Sequence, residues 1–305
     1  MEENFHPVTN YTVTSEYDGV RLDNCLIARL KGLPRTKIYS IIRKGEVRVN
    51  KSRSKPSQKL KTGDQVRIPP YTTSSVDKVF TSNSLKETIF NSIIEEEKDF
   101  IILNKPTGIA CHGGSGISSG VIEALREIDK KYKDAQLAHR IDRDTSGCLV
   151  IALKKSFLRK LHLEIRNKQV DKIYDLVVFG KWPSELKLIN QSLSKSQSRA
   201  GEREAIIDKN GKESLTEFTT VKANDSLTLL KAKIMTGRMH QIRVHTKFKG
   251  FPIVGDKKYG DELLNQQARK KGLNRMLLHA NSINFRNLGI ECSAATPKIF
   301  NEIMS

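Results

Sequence analysis

One stretch of the sequence joins a polar loop directly to a strongly apolar strand. Residues 139–147 (HRIDRDTSG) are mostly polar and run into residues 148–153 (CLVIAL), which are apolar and rich in β-branched side chains. A short apolar run bounded by Gly147 and Lys154 is typical of a buried strand. The sequence therefore predicts a polar loop held by a rigid core strand, an arrangement in which proteins often place chemistry.

The loop carries a carboxylate close to two cations. Asp142 lies two residues after Arg140 and directly before Arg143. Neighbouring cations favour the ionised form of a carboxylate, and a positioned carboxylate can act as a nucleophile, a base or a metal ligand. Taken alone, the alternation of Asp and Arg favours a simpler interpretation, an ion-pair network that only fixes the loop.

The chain is strongly basic. It carries 53 Lys and Arg against 34 Asp and Glu in 305 residues, a formal net charge of +19. Such an excess indicates a polyanionic partner, most often a nucleic acid. No apolar run approaches the roughly 20 residues that span a bilayer, the first residues lack a signal-peptide pattern, and the four cysteines form no C-x-x-C pair. We expect a cytoplasmic protein with free thiols and no membrane partner.

Charge and periodicity divide the chain into regions. Residues 21–70 hold fourteen Lys or Arg and three Asp or Glu, a net charge of +11. We predict a flexible N-terminus over 1–18 and a small basic domain over 19–70. A linker rich in Pro, Ser and Thr is predicted over 71–84, followed by a larger domain over 85–305.

The small domain combines its charge with apolar periodicity. Apolar side chains recur at helical spacing in residues 22–30 and 38–42, and Gly45 is typical of a helix end. Short alternating runs at 47–49 and 65–68 predict half-buried strands. This order, with the patterns R-L-D-x-x-L and R-x-K-I-Y-x-x-I-x-x-G-x-V-x-V-N, resembles the S4 RNA-binding domain. The alternative is a basic, solvated helix pair without a ligand.

Ordered motifs in the larger region resemble those of one enzyme family. Residues 139–147 are similar to the motif H-R-L-D-x-x-T-S-G of RluA-type pseudouridine synthases, from which only Ile141 departs. Other stretches resemble further motifs of the family in the same order: NKPTG at 104–108, KIY at 172–174, GRMHQIRVH at 237–245 and PIVGD at 252–256. The resemblance covers nearly the whole chain and is closest to the RluC branch, which acts on the large ribosomal subunit.

This resemblance implies a fold and a reaction. The fold is α+β: a small S4 domain of helices and short strands, then a catalytic domain with a mixed, mainly antiparallel sheet and flanking helices. The reaction isomerises uridine to pseudouridine in RNA, and the expected substrate is 23S rRNA of the large subunit or its precursor. It breaks the N1–C1′ bond, rotates the base and rejoins it through C5. Because no redox or net hydrolytic step occurs, we expect no cofactor and no metal, and we expect a monomer.

The resemblance also implies roles for individual residues. Asp142 is expected to act at C1′ as a nucleophile or a base, and Arg243 to pair with this carboxylate. Tyr174 is expected to stack on a uracil that has left its base stack. Without the motifs, Tyr174 reads as a core tyrosine and Arg243 as a helix-surface arginine.

Four further residues are expected to contact the substrate. By resemblance, Arg140 enters the space that the base leaves, where a planar cation can stack. Leu277 or Leu278 packs on the base edge, although core packing is equally consistent with either. Lys105, in the NKPTG motif, is the remaining expected substrate-binding residue.

Two other classes of function compete with this hypothesis. One is a non-catalytic, S4-type RNA-binding assembly factor of the ribosome. The other is a metal-dependent nuclease with ligands among His139, Asp142, His240 and His245. The last two histidines are five residues apart instead of the four that place ligands on one helical face, so the sequence favours a structural or RNA-contacting role for them.

Overall fold

The computed structural model describes residues 3–74, 81–114, 118–197, 202–270 and 272–304. The contacts within the chain divide it into two units, residues 1–78 and 79–305. Across the described ranges, no helix has the length and apolar character needed to cross a membrane.

The first unit packs two helices against a small antiparallel sheet. Its elements are α1 (Leu22–Arg29), α2 (Arg35–Arg43), β1 (Glu3–His6), β2 (Thr9–Thr12), β3 (Arg48–Val49), β4 (Ser52–Arg53), β5 (Gln65–Ile68) and β6 (Tyr71–Ser74). The sheet has the order β2-β5-β3-β4. The apolar positions that predicted the helices, among them Leu22, Leu26, Ile38 and Ile42, form the buried core, so both helices lie where their periodicity indicated.

The margins of this unit differ from the prediction. Residues 3–6 pair with residues 71–74, and β2 pairs with β5, so neither the described part of the N-terminus nor the start of the predicted linker is free chain. Each pairing joins segments more than fifty residues apart, which local composition cannot indicate. Residues 75–80 of the predicted linker lie outside the described residues, and the predicted domain boundaries stay predictions.

The second unit is built on one large sheet. Its helices are α3 (Asn83–Phe90), α4 (Val121–Ile128), α5 (Lys155–Arg166), α6 (Gln241–Phe248), α7 (Glu262–Lys270) and α8 (Ile299–Glu302). Its strands are β7 (Ile93–Glu96), β8 (Phe100–Lys105), β9 (Gln136–Leu137), β10 (Ser146–Ala152), β11 (Val170–Phe179), β12 (Leu188–Asn190), β13 (Leu193–Gln197), β14 (Arg203–Ile207), β15 (Leu215–Ala223), β16 (Leu227–Ile234), β17 (Leu278–Phe285) and β18 (Ile290–Ser293).

The sheet has the order β12-β15-β16-β11-β17-β10-β8-β7, with β18 on β17 and β9 on β10. Only β10 and β17 run parallel among these pairs. The predicted mixed, mainly antiparallel sheet is therefore confirmed. Strands β13 and β14 form a separate hairpin.

Strand β10 is the predicted apolar strand, and all seven of its residues are buried. Leu149 and Ile151 face one core cluster, while Cys148 and Val150 face another. Gly147 has φ +110°, and a Cβ there would collide with the backbone of Ala280 on β17. Only glycine fits this close approach, so the end of the loop is fixed against the neighbouring strand.

Candidate active site

The loop before β10 holds Asp142 against an arginine from a distant part of the chain. Nη1 of Arg243, on α6, donates to Oδ2 of Asp142 at 2.9 Å across 101 residues of sequence. The two arginines next to Asp142 in sequence do not pair with its carboxylate. Arg143 pairs with Asp144 at 3.3 Å, and Arg140 is exposed. The expectation based on sequence neighbours is thus corrected, whereas the pairing with Arg243 is the one that the motif resemblance implied.

A second carboxylate fixes the orientation of Arg243. Its Nε and Nη2 donate to Oδ2 and Oδ1 of Asp256 at 2.7 and 2.8 Å, and two backbone N–H groups also donate to Asp256. Burial opposes the charge of Arg243, but the hydrogen bonds and charges of Asp256 and Asp142 raise its pKa overall. Asp256 was not among the expected site residues, although it ends the PIVGD motif that could have indicated it.

Lys105 lies behind the loop and not in the cleft. Its ammonium group donates to the carbonyl oxygens of Pro106 and Ile109 at 2.8 Å and of Arg143 at 3.0 Å. The side chain is fully buried, and burial lowers its pKa to about 8. Because Arg143 directly follows Asp142, these bonds fix the backbone that carries the carboxylate. Lys105 therefore holds the loop and does not reach the expected substrate site.

A cleft of about 520 Å³ opens over Asp142 and gathers most of the expected site residues. Arg140, Tyr174, Arg243 and Leu278 line it together with Asp142. Leu277 does not line the cleft. It packs on the opposite side with Val254 and Phe300, because successive residues at the start of a strand face opposite ways. Leu278 is thus the leucine of the pair that faces the site.

Tyr174 lies on β11, where the backbone pairs it with Ala232 of β16 and Ala280 of β17. Its side chain lines the cleft. Burial, with a smaller effect from the charge of Asp142, raises the pKa of Tyr174 above its ordinary value. The phenol therefore keeps its proton at neutral pH and presents a flat, uncharged surface to the cleft.

His240 also faces the carboxylate. Its Nε2 lies 3.8 Å from Oδ1 of Asp142, and its Nδ1 lies 2.7 Å from the hydroxyl oxygen of Tyr259. That oxygen also accepts the backbone N–H of Ala205 at 2.8 Å. Burial lowers the pKa of His240, which favours a neutral ring beside Asp142.

The other histidines considered as metal ligands have protein partners. His139 accepts the backbone N–H of Val150 at 3.1 Å. His245 lies between the hydroxyl of Thr216 and the carbonyl of Gln191, at 2.9 and 3.1 Å. Within the ranges that the structure describes, no three His, Cys, Asp or Glu side chains converge as a metal site would require.

Comparison with known proteins agrees with this geometry. Residues 99–248 match the RNA pseudouridylate synthase family and residues 20–66 match the S4 domain family. The chain is 49% identical to the ribosomal large subunit pseudouridine synthase C of Haemophilus influenzae, with 90% of this chain and 86% of the relative covered. It is 43% identical to the protein of the same name from Escherichia coli (strain K12), with 91% and 88% covered.

The fold also has a solved counterpart. The human protein RNA pseudouridylate synthase domain containing 4 superposes with a TM-score of 0.59, at 24% identity, over 72% of this chain and 94% of that one. The family match and these relatives identify the chain as an RNA-modifying isomerase. The chain belongs to the RluA-type family of RNA pseudouridine synthases and carries an N-terminal S4 domain. The predicted family and enzyme class are confirmed.

Proposed function

We propose that this enzyme converts particular uridines of large-subunit rRNA, or of its precursor, to pseudouridine. The curated relatives are named for that subunit, and a net charge of +19 with an S4 domain suits a long polyanion. The four cysteines are buried and unpaired, which suits a reducing cytoplasm.

The observation that carries the proposed mechanism is the Asp142–Arg243–Asp256 network at the wall of the cleft. Asp142 acts at C1′ of the target uridine, as a nucleophile or as a base, while the N1–C1′ bond breaks. Arg243 holds the carboxylate in position, since Asp256 binds the other edge of its guanidinium. A preorganised charge in a partly dry site stabilises a developing charge without reorganising at the moment of reaction.

The remaining cleft residues bind the base. Both Tyr174 and Leu278 line the cleft, and most of each side chain is covered by the protein. In the proposed complex, Tyr174 stacks on the uracil and Leu278 packs on the edge of the base. Arg140 is exposed beside the cleft, where its planar cation enters the space that the flipped nucleotide leaves in the RNA. Lys105 acts only through the loop that it fixes.

Release of tritium from C5-labelled uridine in rRNA tests the activity, because rejoining the base through C5 displaces the C5 hydrogen. Pseudouridines are mapped in large-subunit rRNA with and without this protein. We expect the amount of tritium released to match the number of pseudouridines that appear only with the protein. Free rRNA and assembling subunits are both tested as substrates. If the protein binds rRNA but releases tritium from neither substrate, the result would contradict the proposal and favour an assembly factor.

The S4 domain is proposed to supply affinity and not chemistry. Its residues 21–70 carry a net charge of +11, and none of the cleft residues belongs to them. Removal of residues 1–78 is therefore expected to weaken rRNA binding and to flatten its salt dependence, because fewer phosphate-bound counterions are released. Filter-binding titrations at several salt concentrations measure the slope, and an unchanged slope would count against this role.

A further inference from the structure

Lys172 is a cleft residue that the proposed mechanism does not use. It lies on β11 two positions before Tyr174, and both side chains line the same cleft. Positions i and i+2 of a strand share a face and are about 7 Å apart. The ammonium group of Lys172 thus belongs to the same binding surface as the proposed stacking ring, roughly one nucleotide's breadth away.

The ammonium group of Lys172 has no hydrogen-bond or ion-pair partner among the described residues. The nearest carboxylate in sequence, that of Asp171, already pairs with other cations on the other face of the strand. It accepts Nε and Nη2 of Arg286, both at 2.7 Å, and Nζ of Lys233 at 2.9 Å.

The surroundings of Lys172 are short of negative charge. The cations of the cleft lining are Arg140, Arg166, Lys168, Lys172, Arg238 and Arg243, whereas Asp142 is its one carboxylate. Asp142 is already paired with Arg243. His139, which also lines the cleft, carries no negative charge, and its Nε2 already accepts the backbone N–H of Val150. Burial, with a smaller effect from the Lys172 charge, lowers the pKa of this histidine.

Partial burial makes this arrangement costly for the free enzyme. Desolvation lowers the pKa of Lys172 to about 8, and no carboxylate raises it again. Lys105 has the same depressed pKa but satisfies its ammonium group with three carbonyl oxygens. A cation removed from water without a partner is unfavourable, and an anionic ligand that enters the cleft would supply the missing partner.

We propose that Lys172 binds a phosphodiester group of the target nucleotide, next to the uracil site on Tyr174. This inference rests on the proposed function, since it takes the ligand to be RNA. A nucleotide whose base stacks on Tyr174 carries its phosphates beyond the ribose, within reach of a lysine side chain from the neighbouring position. Charge-assisted hydrogen bonds from an ammonium to phosphate oxygens then anchor the flipped nucleotide.

Calorimetric titration with uridine, uridine 3′-monophosphate and uridine 5′-monophosphate tests the site without an rRNA substrate. At pH 7 we expect the wild-type protein to prefer one of the two monophosphates over uridine about tenfold, equivalent to one charge-assisted contact. Lys172→Met should lose most of that preference while its melting temperature does not fall. Lys172→Arg should keep it, because arginine retains the charge. The preferred isomer identifies which phosphate is bound.

Two control variants separate this site from the general charge of the cleft. Lys231→Met removes an exposed lysine of β16 that does not line the cleft and should bind like the wild type. Lys168→Met removes an exposed cleft lysine and should reduce the preference less than Lys172→Met does. An equal loss in Lys168→Met, an unchanged preference in Lys172→Met, or no preference in the wild type would each overturn the proposal. Absence of pseudouridine in rRNA would refute the proposed function and leave these binding results unaffected.

Discussion

Lys105 and Lys172 lie in two regions of the catalytic unit that use charge in opposite ways. Burial lowers the pKa of each to about 8. Behind the loop, the ammonium group of Lys105 donates hydrogen bonds to three carbonyl oxygens of the protein. In the cleft, Lys172 has no such partner among the described residues. The supporting region therefore satisfies its charges internally, whereas the cleft leaves charge available for a ligand.

This comparison predicts that variants behind the loop lose stability and rate together. Asp256→Asn should have the largest combined effect, because it leaves the buried Arg243 without its bidentate partner. Breaking a buried ion pair costs about 3–5 kcal/mol. We expect an unfolding free energy lower by about that amount in urea titrations and a much slower single-turnover reaction.

Asp171→Asn is a matched control for this variant. Asp171 also accepts two bonds from one guanidinium, that of Arg286, but Arg286 is exposed and Asp171 only partly buried. Pairs of this kind contribute about 0–1 kcal/mol. Its rate should be that of the wild type. Equal losses in the two variants would show that the position of Asp256 beside Arg243 has no special importance.

Lys105→Met should have a smaller effect of the same kind. Three partly buried carbonyl oxygens lose their donor. The loss is about 1–3 kcal/mol for a fully buried group and less where water can replace the donor, while the protein no longer has to bury a charge. We expect a net loss of about 3 kcal/mol in unfolding free energy and a reduced rate with unchanged rRNA affinity. If the variant instead bound rRNA more weakly at unchanged stability, the result would indicate that Lys105 contacts the substrate.

The smallest predicted effect is the change with pH in the affinity for a uridine monophosphate. We expect this change to come from Lys172 in the cleft. Lys172 is protonated below pH 8 and loses its charge as the pH rises through about 8. Asp142, Arg243 and Arg140 share this cleft with Lys172, and the neighbouring His139 is already neutral. Affinity for the preferred uridine monophosphate should therefore fall by up to about tenfold between pH 7 and pH 9. In Lys172→Arg the curve should be flat, and an equally steep curve would contradict the assignment.

Local sequence patterns were sufficient for the elements but not for the partners. The apolar run after Gly147 predicted β10, and helical spacing predicted α1 and α2, because both patterns depend on neighbours in sequence. The partner of Asp142 lies 101 residues away, so its nearest arginines were a misleading guide. Motif resemblance supplied Arg243 where local charge could not.

Other features depended on register and burial. The choice between Leu277 and Leu278 depends on which way each residue faces at the start of β17, and a single sequence does not reveal this. The KIY motif at 172–174 includes Lys172 but gives this lysine no role, and lysines are usually exposed. Only its place on the cleft side of β11, away from carboxylates, distinguishes it.

Asp142→Asn tests the central claim most directly, because it removes the charge of the carboxylate and keeps its shape. Asp142 is partly exposed and joined to Arg243 by one hydrogen bond, so the variant should melt close to the wild type and bind rRNA normally. Loss of a positioned carboxylate worth about 4 kcal/mol should slow single-turnover pseudouridine formation by roughly a thousandfold. A folded, RNA-binding Asp142→Asn protein with a near-normal rate would contradict the assignment of Asp142 as the reacting group.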